Sequence, residues 1–264
     1  MPHVQANGIR IHHELSGPPD APVVMLSNSL GTRLDMWAPQ MVALSDRYRV
    51  LRYDSRGHGR TDVPPGPYSI ELLAEDAVAL LDALGIDRVH FCGLSKGGMV
   101  GQRLAVRHGD RLRSLILCAT AAHLPPPELW NQRIEQTARA GMASVVDGVT
   151  ERWFTQAFLS TPRPEVERVR TMIVQTPAAG YGASCAAVRD MDQRDAVRAV
   201  DVPTLLIAGA DDPATTVEVM RDLQARIPGS RLVEIPQAAH LVNIEQADRF
   251  NEALLGFLDA QPGD

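Results

Sequence analysis

The 264-residue chain is 45% hydrophobic, enough to bury a sizeable core as one large domain or as a core domain with one insertion, which excludes a disordered or fibrous protein. Its 26 basic and 32 acidic residues give a net charge of -6 without long runs of either sign, so it carries no electrostatic footprint for nucleic acid or an anionic membrane. Three cysteines, Cys92, Cys118 and Cys185, suit buried reduced thiols; with neither a leader-like start nor a stretch approaching ~18 apolar residues, the expected setting is the cytoplasm.

In chain order, Asn7-Gly8 stands between short strand-like runs ending at Val4 and resuming at Ile9, the composition of a two-residue hairpin whose turn positions take positive φ. Apolar runs then recur at 23–26, 48–53, 89–92, 112–118, 202–208 and 231–235. Continuous runs of this kind suit parallel strands covered on both faces. Between the second and third, Leu73, Ala77, Leu80, Leu81 and Leu84 share one helical face behind Ser69 as N-cap, which predicts a crossover helix. The alternation defines an α/β fold class, a mostly parallel twisted sheet flanked by helices. From 121 to 195 the pattern changes: Pro125-Pro126-Pro127 punctuates the entry, helical segments carry Trp130, Met142, Trp153, Phe154 and Phe158, and no strand run appears. The expected organisation is a core of 1–120 and 196–264 with a helical cap, 121–195, inserted. The terminal Pro262-Gly263-Asp264 reads as frayed.

Gly93-Leu94-Ser95-Lys96-Gly97 directly follows one of the strand runs and precedes a helical stretch, the context in which G-x-S-x-G forms a nucleophile elbow. A serine on so sharp a turn adopts a strained backbone, and neighbours two residues away must lack side chains for strand and helix to approach. A hydroxyl attacks an ester at neutral pH only when a base takes its proton. Of eight histidines, His240 lies after the last strand run and before a C-terminal helix, with His58 in Arg56-Gly57-His58-Gly59 as the rival. The imidazole needs a carboxylate to hold its tautomer. Asp211 and Asp212 both follow the 202–208 run; spacing from Gly209 and the following Pro213 favour Asp212. Ser95, Asp212 and His240 then run in the serine, acid, histidine order of α/β-hydrolases. For the oxyanion, the Lys96 backbone N–H is one expected donor and the Ser29 N–H, in Ser27-Asn28-Ser29-Leu30-Gly31, the other; the alternative is that this segment is an ordinary Ser/Asn-rich turn.

The loop Leu26-Ser27-Asn28-Ser29-Leu30-Gly31-Thr32, with Met36-Trp37, Leu51-Arg52-Tyr53-Asp54, Arg56-Gly57-His58-Gly59, Phe91-Cys92-Gly93-Leu94-Ser95, Arg152-Trp153-Phe154-Thr155 and Asn243-Ile244-Glu245, resembles the 3-oxoadipate enol-lactonases of aromatic-compound catabolism across nearly the whole chain. The Ser27-Asn28-Ser29-Leu30-Gly31 loop, with Ser27-Asn28 where the usual hydrolase loop carries His-Gly, is the most telling piece. The resemblance implies hydrolysis of a five-membered enol-lactone with an acetate arm, giving 3-oxoadipate; residue spacing alone implies only acyl transfer. Lys96 departs from the family, in which that position looks like methionine. It either grips a substrate carboxylate, pairs with a nearby acid or reaches solvent. Thr215-Thr216-Val217 also lacks the family's proline pair. The resemblance and the cap reading offer Arg33, Arg133 and Lys96 as cations for the carboxylate, and Trp130 and Trp153 as pocket walls; each arginine can equally be a surface residue, and each tryptophan can equally be packing inside the cap.

Cofactor and metal motifs are absent from the sequence, so the expected chemistry needs only protein and water, with a small-molecule lactone or ester as partner. A general carboxylesterase, lactonase or perhydrolase is the enzymatic alternative, and a ligand-binding protein on the same fold the non-catalytic one. Nothing in the pattern sets an oligomeric state.

Overall fold

The computed structural model describes residues 2–261; the C-terminal Pro-Gly-Asp lies outside the described residues. Strands β1 (His3–Ala6) and β2 (Ile9–Ser16) form the opening hairpin, with Asn7 at φ 46° and Gly8 at φ 75° closing its turn. Strands β3 (Val23–Ser27), β4 (Arg49–Tyr53), β5 (Val89–Leu94), β6 (Leu112–Cys118), β7 (Thr204–Gly209) and β8 (Arg231–Ile235) complete one eight-stranded sheet in the order β1-β2-β4-β3-β5-β6-β7-β8. β1 and β2 are antiparallel, as are β2 and β4; every other neighbouring pair is parallel.

The unbroken apolar runs are explained by burial on both faces. Val24, Leu26, Val50, Cys92, Leu94, Ile116, Cys118, Leu205 and Ile207 enter one core, and the residues between them, among them Met25, Leu51, Phe91, Leu115, Leu117 and Leu206, enter the other. Strand period two splits one apolar run into two layers. Helix α1 (Ala38–Leu44) closes the first core through Leu44; α2 (Ile70–Ala83) and α3 (Lys96–Arg107) close the second. Ser69 caps α2, its hydroxyl accepting from the Leu72 N–H at 3.1 Å.

Between β6 and β7 the chain is helical: α4 (Pro127–Ala140), α5 (Val146–Trp153), α6 (Gln156–Leu159), α7 (Pro164–Gln175) and α8 (Ala178–Asp190). Its two ends are stitched together by an isolated bridge between His123 and Asp192 and by the Gln193 N–H donating to the Ala122 carbonyl at 2.8 Å. Val145, Val149, Trp153, Phe154, Val169 and Ile173 bury its inner side against the first core. After β7 come α9 (Val217–Arg226), α10 (Val242–Glu245) and α11 (Ala247–Leu258), the last burying Phe250 and Leu254 in that core. Among the described residues no helix is long and apolar enough to cross a membrane.

Candidate active site

Parallel strands deliver their following loops to one edge, and in open α/β sheets that carboxyl edge is where ligands bind. The loops after β3, β5, β7 and β8 carry Ser29, Ser95, Asp212 and His240 respectively. Ser95, between β5 and α3, adopts φ 56°, ψ -115°, a conformation costing a non-glycine residue roughly 1–3 kcal/mol. It is fixed from both sides: its N–H donates to the Cys118 carbonyl at 2.8 Å, and its carbonyl accepts from the Thr120 hydroxyl at 2.8 Å. A Cβ on Gly93 would lie 2.2 Å from the Gly97 carbonyl oxygen, and one on Gly97 2.2 Å from that of Ser27. Those contacts are the steric reason for both glycines of the motif.

His240 follows β8, and its Nδ1 meets Asp212 Oδ2 at 2.8 Å. Asp211 is exposed, its N–H spent on the Ala238 carbonyl, so Asp212 is the carboxylate that meets the imidazole. Asp212 also accepts from the Ala214 N–H at 2.7 Å, the Thr215 N–H at 3.2 Å and the Thr215 hydroxyl at 2.6 Å. Burial alone would push this carboxyl up; the His240 ring and these donors outweigh it and hold it below the usual carboxylate range. Trp153, from α5, stacks on His240 with ring centroids 5.9 Å apart, and its carbonyl accepts from the Leu241 N–H at 3.0 Å. A buried carboxylate finishes this connection: Glu245 accepts from the Ala239 N–H at 2.9 Å, and from the N–H and hydroxyl of Thr155. The histidine loop and the helical insertion are thus held by one acid.

His58 serves elsewhere. Fully buried, its Nε2 accepts from the Gly31 N–H at 3.0 Å while Nδ1 faces the Arg56 carbonyl at 3.1 Å; burial, with the charge of Lys96, holds its pKa well below the ordinary imidazole value. A neutral ring with Nδ1 protonated braces the loop after β3. In that loop the Asn28 side chain donates to the Tyr53 carbonyl at 2.7 Å and accepts from Trp37 at 3.0 Å.

One cavity of about 310 Å³ is lined by Ser29, Ser95, Lys96, Trp130, Arg133, Trp153 and His240, so it gathers most of the residues singled out in the sequence. Arg33 does not join them, against expectation: its guanidinium pairs with Asp35 at 2.6 Å and Gln175 at 2.8 Å and lines a separate surface groove. The expectation for Ser29 also needs revision, since its N–H donates to the Met36 thioether sulfur at 3.3 Å rather than standing free. Thioether sulfur is a weak acceptor. Trp153 both lines the cavity and belongs to the core, and Trp130 is oriented by donating to the Leu124 carbonyl at 2.9 Å, with Arg133 lying 5.0 Å above its face.

Three participants were missed from sequence: Thr215, Glu245 as a clasp, and Arg152, which joins Arg133 at the cavity wall. Burial and the neighbouring Arg133 lower the Arg152 pKa from its ordinary value. The spacing Asp212-x-x-Thr215, an acid three residues before a hydroxyl, was the available signal for the first. Lys96 resolves one open question: it neither reaches solvent nor pairs with an acid, being 1% exposed with no hydrogen-bond partner for Nζ among the described residues.

A strand-elbow-helix at a serine, with a histidine and an acid supplied by later strands of a mostly parallel sheet, is the layout of α/β hydrolases. Residues 22–247 match the family model for the alpha/beta hydrolase fold, and the chain belongs to that family. Within it, the chain is 37% identical over 249 residues to 3-oxoadipate enol-lactonase 2 of Acinetobacter baylyi, covering 94% of this chain and 93% of that one. The enol-lactonase of Burkholderia xenovorans LB400 superposes with a TM-score of 0.96 at 43% identity, covering 98% of this chain and all of that one. A putative carbamate hydrolase RutD of a Caulobacter species is 31% identical over 259 residues, with 95% and 96% covered. The chain is a hydrolase of this fold with enol-lactonases among its relatives.

Proposed function

We propose that the protein is a serine hydrolase that opens a carboxylate-bearing enol-lactone, 3-oxoadipate enol-lactone to 3-oxoadipate, through an acyl-enzyme on Ser95. The observation that carries this reading is the pairing of His240 with a four-times-bonded Asp212 at the wall of the cavity that Ser95 enters from its strained elbow. His240, held by Nδ1 to the carboxylate, has Nε2 left to take the Ser95 proton as the hydroxyl attacks the ring carbonyl. The ring C–O bond then breaks, its oxygen leaves as the enol within the same acyl chain, and the proton returns from His240. Water, deprotonated by the same imidazole, releases the acid and restores the serine.

Lys96 is the first residue of α3, so its N–H has no intrahelical partner and lies at the positive end of the helix, suited to the developing oxyanion. Among the described residues, the cavity lining contains Lys96, Arg133 and Arg152 and not one aspartate or glutamate, which supports an anionic substrate. Arg133, positioned over the Trp130 ring at the cavity wall, suits a carboxylate.

Ser95→Ala should lower kcat/KM on the enol-lactone by about 10⁴-fold or more with folding intact; retained turnover ends the proposal. A second reading, an esterase or carbamate hydrolase, draws on the likeness to RutD. Specificity constants for the enol-lactone, an aryl acetate and a carbamate decide between them.

A further inference from the structure

Lys96 places an ammonium group where packing alone gives no reason for one. The groups that act on it electrostatically are already committed. Asp76 of α2 is bound by Arg56 at 2.6 and 2.7 Å and by Asn7 at 2.7 Å. Cys185 of α8 is a neutral thiol, pushed up to about 12 by burial. His58, neutral as described, braces the loop after β3. Burial pushes the lysine down to about 7, with Asp76 and Cys185 opposing. Ser29, another residue of that cavity's lining, carries a second buried polar atom, its hydroxyl, that meets no partner among the described residues.

We propose that the Lys96 ammonium, assisted by the Ser29 hydroxyl, is an anchor for the acid arm of the substrate, so that one residue grips both ends of the reacting molecule. Its backbone N–H faces the oxygen of the scissile carbonyl and its Nζ faces the carboxylate; this rests on the enol-lactone reading above. Arg133 and Arg152 line the same cavity as Lys96, so a second cation is available to the same carboxylate. A carboxylate reaching this buried group supplies the opposite charge that the ammonium lacks, and such a charge-assisted bond is stronger away from bulk water. The span of one lysine side chain also limits how far the acid can sit from the carbonyl, which selects a short arm.

The test uses two lactones that differ only in this arm: 3-oxoadipate enol-lactone, a furanone with a carboxymethyl group, and the neutral 5-methyl-2(3H)-furanone. Its readout is the ratio of their kcat/KM values within each protein. In wild type the ratio should favour the acid strongly, and in Lys96→Met it should fall about 10- to 100-fold while Arg133 is intact. Lys96→Gln, which keeps a polar tip without charge, should show the same fall and serves if the methionine variant fails to fold. An unchanged ratio in the variants overturns the proposal. So does a wild type that opens both furanones equally well, which leaves the enol-lactone reading standing; a wild type that opens neither furanone but cleaves aryl acetates overturns both.

Discussion

The two ends of the cavity are built on opposite principles. Around His240 the supporting acids are saturated: Asp212 accepts from the imidazole, the Thr215 hydroxyl and two backbone N–H groups, and Glu245 accepts from Ala239 and Thr155. Around Lys96, Nζ and the Ser29 hydroxyl are buried without partners among the described residues. A saturated network fixes one geometry and makes the imidazole ready before substrate arrives. An unsaturated one stores an unfavourable state that only a complementary molecule relieves. Rigidity belongs to the bond-breaking end and unmet polarity to the recognition end.

The largest blow to the saturated end should come from Asp212→Asn. All four groups facing Asp212 point donors at it, so an amide must turn its own N–H₂ toward one pair of them and disturb the histidine tautomer; kcat should fall by about 10³–10⁴-fold in steady-state assays. The unsaturated end predicts the reverse sign for stability. Lys96→Met should raise the unfolding free energy by a few kcal/mol at pH 6, because it removes a buried charge without a partner. The lysine is held below its unfolded value, so the unfolded chain binds the extra proton between about 7 and the ordinary lysine range. Wild-type stability therefore rises with pH across that window relative to the variant, and chemical denaturation at pH 6, 8 and 10 should show the gap closing. Glu245→Gln should cost about 1–3 kcal/mol and about tenfold in kcat, since it weakens the tie between the histidine loop and Thr155. KM should change less, which a full saturation curve checks. The smallest effect is expected from Thr215→Val. Losing the 2.6 Å hydroxyl bond raises the Asp212 pKa toward its unfolded value, so the stability that this carboxylate contributes above that range shrinks and is lost at a higher pH during acid titration. Its acid-unfolding midpoint should rise by a few tenths of a pH unit.

Much of the saturated end was legible from sequence because its signals are local. Gly93 to Gly97 dictate the elbow by steric exclusion, Asn7-Gly8 dictates a hairpin by backbone conformation, and the apolar strand runs mark a sheet covered on both faces. The order of strands was not legible, since an apolar run states that it is buried but not beside which neighbour. Glu245 and Thr155 meet across 90 positions, and no pattern in either segment announces the other. Arg33 misled because its partner Asp35 is so close in sequence that a local ion pair outcompetes any distant role. Lys96 was visible as a departure, yet its isolation became apparent only once α2, α8 and the loop after β3 were placed around it.

The helical segment between β6 and β7 is stitched at its ends by His123 and Asp192 and tied at its inner side by Glu245 and by the core it helps to bury. A foreign segment joined at 122 and 193 would therefore have to cover the same core, where Val149, Phe154 and Ile173 now pack against strand residues such as Leu26 and Ile116. Such a graft would also reach the chemistry, because the replacement must offer its own donors to Glu245 or the histidine loop loses its tether.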